Sequence, residues 1–138
     1  MQSTAVSART SMHVTRLTAA IGAEVSGVDL GQVAGSEELF AELKALLLAH
    51  KVLFFRDQDI TRAEHARLAG RFGPLEDHPV VPSDPDNPGL VRIYKDLGSQ
   101  PEHYENAYHC DGTWKETPPM GVGGEISFSQ LRMRWAGA

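Results

Sequence analysis

One cysteine, Cys110, is all the chain has, so an intrachain disulfide is excluded. A reducing cytoplasm fits that scarcity. No apolar run approaches the roughly 18 residues of a membrane span, which argues against a membrane partner. No run of lysines or arginines appears either, and the net charge of −5 argues against nucleic acid. Met1 to Ser11 is small and polar, without the apolar stretch of a secretory signal, and reads as a flexible tail. No internal repeat or heptad is visible. What is present is a chain of 138 residues, 41% hydrophobic, enough to bury a core. That size suits one small domain or part of a larger one.

Apolar and polar residues alternate from Met12 to Leu17, the period of a short strand. Ile21 to Leu30 carries Ile21, Val25, Val28 and Leu30 and reads as a strand with a turn at Ser26-Gly27. Ser36 to His50 is the clearest helix. Ser36 can cap it, Glu37 and Glu38 sit where the helix dipole favours anions, and Leu39, Phe40, Leu43, Leu46 and Leu47 form an apolar stripe. Lys51 to Arg56 is too short for a helix and rich in β-formers, so it reads as a buried strand. Thr61-Arg62-Ala63-Glu64 is a capping box. The helix it opens carries Leu68, Ala69 and Phe72 on one side and stops at Gly73-Pro74. His78 to Gly89 holds five prolines or glycines in twelve residues and reads as a loop. Leu90 to Tyr94 suits a short strand, and Lys95 to Glu105 another loop. The expected class is α+β with a mainly β core, in which N-terminal helices lead into a sandwich or jelly roll.

The chemistry concentrates in Tyr108-His109-Cys110-Asp111-Gly112-Thr113-Trp114. On an extended segment, residues i and i+2 share a face, so His109 and Asp111 can grip one metal ion together. One more imidazole would complete the facial triad that holds non-haem Fe(II) and leaves positions open for substrates. His-x-Asp alone occurs by chance in many proteins. Here Asn106, Tyr108, Thr113 and Trp114 crowd polar and aromatic groups around the pair. Cys110 falls between the two ligands and points to the opposite face, which suits packing. His13, His50 and His65 fall on a strand, a helix end and a helix, where ordinary structural roles suffice.

The run from Glu105 to Gly121 resembles the first metal-ligand segment of the taurine/2,4-D dioxygenase (TauD/TfdA) family. Two earlier blocks agree. Ile21 to Leu30 resembles the family's N-terminal strand block. His50-Lys51-Val52-Leu53-Phe54-Phe55-Arg56-Asp57-Gln58, with Arg71 to Leu75 and His78-Pro79, resembles its helix-strand-helix block. The resemblance implies a double-stranded β-helix, a cupin-like jelly roll, of which this chain would hold a part. It implies an Fe(II)- and 2-oxoglutarate-dependent dioxygenase with His109 and Asp111 as iron ligands. The reaction would be oxidative decarboxylation of 2-oxoglutarate to succinate and CO₂, coupled to hydroxylation of a small anionic substrate such as a sulfonate, sulfate ester or carboxylate. O₂ would be the oxidant. His78 matches a substrate-facing position, where an imidazole suits an anionic group. Asn106 and Tyr108 are further candidates for the substrate. A homo-oligomer is compatible with the family.

The chain also departs from the pattern. Relatives supply the distal His ligand and the Arg for the far carboxylate of 2-oxoglutarate from later sequence. Here no histidine follows His109, and Arg132 and Arg134 come too early to be that arginine. The 2-oxoglutarate-binding residues are therefore not assigned. Gly123-Gly124-Glu125-Ile126 resembles the family's Gly-Gly-Asp-Thr block, but only Val122 separates it from Pro118-Pro119-Met120-Gly121. The expected organisation is a tail over 1–11, the N-terminal part of a dioxygenase domain over 12–121, and an aberrant or truncated segment over 122–138. Such a fragment is expected to be inactive alone. One alternative is a non-catalytic remnant that acts as a binding or assembly module. Another is a cupin-like protein holding a metal through His103, His109 and Asp111.

Overall fold

The computed structural model describes residues 12–77, 81–91, 115–116 and 120–124. The chain divides into two units, Met1–Ser99 and Gln100–Ala138. In the second, Lys115 is half-buried, while Met120 and Val122 are exposed.

The first unit is built on a three-stranded sheet of order β1-β2-β3. β1 (His13–Arg16) and β2 (Ala23–Ser26) pair antiparallel, with Val14 opposite Val25 and Arg16 opposite Ala23. The turn between them is held by Thr18, whose hydroxyl donates to the Ile21 carbonyl at 2.6 Å and accepts from the Ile21 N–H at 3.0 Å. Gly22 closes it at φ 91°, a conformation that costs a residue with a Cβ. β3 (Leu53–Phe54) runs parallel to β2. Parallel neighbours need a crossover connection, and here two helices supply it.

The first of these helices corrects the sequence reading. Leu30 does not end a strand; it opens α1 (Leu30–Gly35), capped by Asp29, whose carboxylate accepts from the Gln32 N–H at 3.0 Å. Two glycines in six residues lower its helix propensity and hide it from pattern analysis. Space around Gly31 is tight: a Cβ would stand 3.0 Å from the Asp29 carboxylate and 3.1 Å from the Glu64 carboxylate of a later helix. α2 (Glu37–His50) follows, with the expected Ser36 cap accepting from the Leu39 N–H at 3.3 Å. Phe40 and Leu43 are its buried residues, Leu39 and Leu46 pack at the core margin, and Leu47 is only half-buried. The helix ends at Lys51, at φ 69°, whose N–H donates to the Leu47 carbonyl.

The expected buried strand over Lys51 to Arg56 is also corrected. β3 spans two residues at the edge of the sheet, and Phe54 is 43% exposed. Leu53 and Phe55 pack against the core while Phe54 points away, the alternation of a strand covered on one face. Gln58 then ties the β3 exit to the start of α1: its side chain accepts from the Leu30 N–H at 2.9 Å and donates to the Val28 carbonyl at 3.2 Å.

The capping box opens α3 (Arg62–Gly70) as expected. Thr61 Oγ1 accepts from the Glu64 N–H at 3.2 Å, and Glu64 accepts from the Thr61 N–H at 2.9 Å. Leu68 is buried and Phe72 packs edge-on to Phe40, with ring centroids 4.8 Å apart. Met12, Val25, Val28, Val33, Ala34, Phe40, Leu43 and Leu68 form the core between helices and sheet.

A last correction concerns His78 to Gly89. Its described part is not all loop: β4 (Ser83–Asp84) and β5 (Asn87–Val91) pair antiparallel. β5 thus begins three residues before the strand expected at Leu90, and Pro88 lies inside it. Proline fits because a short two-stranded ribbon leaves edge positions that need no N–H donor.

Candidate metal and substrate site

The described residues nearest in sequence to a predicted site residue are those around His78. Asp77 precedes it, and one Asp77 carboxylate oxygen accepts from the Ser83 hydroxyl at 2.5 Å and from the Gly89 N–H at 3.2 Å. Leu75 packs over Gly89, where a Cβ would stand 2.5 Å from the Leu75 Cβ. The same glycine has φ 84°, so both space and backbone demand it. These contacts tie the chain entering 78–80 to the hairpin that follows.

The hairpin is itself fixed by Asp84. One carboxylate oxygen accepts from the Asp86 N–H at 3.1 Å, the Asn87 N–H at 3.0 Å and the Asn87 side-chain amide at 3.1 Å. The other oxygen pairs with Arg62 of α3 at 3.1 Å. The Asn87 amide, the turn N–H groups and Arg62 hold the Asp84 carboxyl below its ordinary value. This turn was missed in the sequence, although Ser-Asp-Pro-Asp-Asn carries its signal: Asp and Asn side chains bond to the backbone two residues on.

His78, Asn106, Tyr108, His109 and Asp111 lie outside the described residues, as does His103 of the alternative metal set. Among the described residues, no three His, Cys, Asp or Glu side chains gather to hold a metal ion. The described histidines have structural places. His13 is exposed on β1, His50 ends α2 with its carbonyl accepting from the Gly22 N–H at 2.9 Å, and His65 lies in the first turns of α3. Among the described residues, no helix is long and apolar enough to cross a membrane.

Comparison with known proteins identifies the class. The sequence model of the taurine catabolism dioxygenase TauD, TfdA family matches residues 13–123. The chain belongs to that family, whose relatives are iron- and 2-oxoglutarate-dependent dioxygenases. It is 35% identical over 109 residues to an alkylsulfatase of Acinetobacter baylyi, covering 78% of this chain and 33% of the relative. It is 29% identical over 128 residues to an (S)-phenoxypropionate/alpha-ketoglutarate-dioxygenase of Sphingobium herbicidovorans, covering 84% of this chain and 44% of the relative. A Burkholderia xenovorans crystal structure assigned as an alpha-ketoglutarate-dependent taurine dioxygenase superposes with TM-score 0.54 at 39% identity, covering 64% of this chain and 32% of that one. The chain spans a third to under half of the length of the curated relatives it matches.

Proposed function

We propose that this chain is the N-terminal part, residues 12–121, of a dioxygenase that couples oxidative decarboxylation of 2-oxoglutarate to hydroxylation of a small anionic substrate. The observation that carries the proposal is the family match over 13–123, which takes in the whole His109-Cys110-Asp111 motif. The double-stranded β-helix of the family is the fold in which that motif would work. Sulfonates, sulfate esters and carboxylates are the substrate classes we infer, supported by the alkylsulfatase and phenoxypropionate dioxygenase relatives. The reaction takes place in a reducing cytoplasm, which suits a chain with one cysteine.

The donor chemistry of His109 and Asp111 fits Fe(II): a neutral imidazole nitrogen and an anionic carboxylate oxygen, two of the three donors of a facial triad. Bound iron would supply the site at which 2-oxoglutarate and O₂ react. The chain's own residues do the rest. His109 and Asp111 hold the metal, and His78 offers an imidazole N–H to the anionic group of the substrate. Asn106 and Tyr108 orient the substrate by hydrogen bonding. The donor set is one imidazole short after His109, and no arginine matches the position that would pair with the far carboxylate of 2-oxoglutarate. Those two shortfalls support weak iron binding and no turnover by these 138 residues alone.

An anaerobic Fe(II) titration in the presence of 2-oxoglutarate, followed by calorimetry and succinate assay, tests the proposal. The expected result is weak binding that His109→Ala or Asp111→Ala abolishes and His103→Ala leaves intact. Binding indifferent to both of the first two variants would overturn the ligand assignment. Micromolar affinity with succinate release would overturn the predicted inactivity. Loss of metal in His103→Ala would favour the cupin-like set.

A further inference from the structure

We draw no further inference here: the strongest candidate, the apolar rim of Leu17, Ile21, Leu48 and Val52 where the β1–β2 turn meets the end of α2, is exposed on all four side chains, and nothing in the structure shows what covers it.

Discussion

Arg71 ties the end of α3 to the rest of the first unit. It follows α3 and reaches back to the junction of α1 and α2. One guanidinium nitrogen donates to the Val33 carbonyl at 3.1 Å and to the Ser36 carbonyl at 2.8 Å. The other pairs with Glu37, and the guanidinium carbon stands 4.1 Å from the Phe40 ring centroid. Its side chain is 17% exposed, so these contacts are largely desolvated. The magnitude can be worked from the parts. Both carbonyls keep a backbone donor when the guanidinium goes, Ser36 N–H for Val33 and Phe40 N–H for Ser36. Each lost bond therefore costs about 1 kcal/mol rather than the full penalty of an orphaned acceptor. The cation over the ring adds roughly 0.5–1 kcal/mol. Glu37 adds little, because its side chain is 88% exposed and exposed pairs contribute under about 1 kcal/mol. Arg71→Ala should then cost about 2–3 kcal/mol, or roughly 10–20 °C in melting temperature for a unit of this size. Urea unfolding followed by circular dichroism measures it. Arg71→Lys should recover less than half, since an ammonium cannot serve two carbonyls and a ring in one plane. Glu37→Gln should change almost nothing. If Arg71→Lys matched the wild type, or if Glu37→Gln cost as much as Arg71→Ala, the two carbonyl bonds would not be what Arg71 contributes.

Other perturbations test the remaining contacts. Thr61→Ala removes half of the capping box and should cost about 1 kcal/mol by the same urea assay. Hydrogen bonds from the Thr61 hydroxyl and N–H hold Glu64 below its ordinary value of 4.5. The folded carboxyl is thus more acidic than the unfolded one, so its contribution is whole above pH 4.5 and fades as pH falls through the lowered value. The gap between wild type and Thr61→Ala should accordingly narrow on acidification, and a gap that widens would contradict the sign. Gly89→Ala should cost about 1–3 kcal/mol, because a Cβ there meets Leu75 and the backbone sits at positive φ. Asp77→Ala should free the chain ahead of 78–80 from the hairpin, seen as faster amide exchange at Gly89 and no change at the α2 amides.

What the sequence made legible was whatever a few neighbouring residues decide. Ser36, Thr61 and Glu64 cap their own helices, and each cap stands where its local pattern put it. The α2 stripe was read correctly at Phe40 and Leu43 because helical spacing alone brings them to one side. Failures came where a distant partner decides. Gly31 lowers helix propensity within α1, yet a side chain there would crowd Glu64, which lies 33 residues away in sequence. Phe54 looked like core because it sits in an apolar run, but β3 is an edge strand whose alternate side chains leave the core. The hairpin over Ser83–Val91 was hidden by its prolines, which signal turns more strongly than they signal edge strands.

The candidate site follows the same division. The His109-Cys110-Asp111 motif is local in sequence, and the family match that extends across it supports the proposed ligand pair. The proposed substrate contact at His78 depends on how the backbone on either side of 78–80 is held. The described contacts bear on that holding. Asp77 is bonded to Ser83 and Gly89, and Asp84 is bonded through Arg62 to α3. Helix α3 is in turn anchored to the core by Leu68, and Arg71 beyond its end is tied to the α1–α2 junction. A continuous chain of contacts therefore runs from the most buried part of the unit to the residue before His78. If His78 does meet an anionic substrate, Asp77→Ala should weaken binding of that anion while leaving Fe(II) affinity unchanged, because the proposed ligand pair, His109 and Asp111, belongs to a separate segment. Equal loss of both would mean that Asp77 supports the fold as a whole.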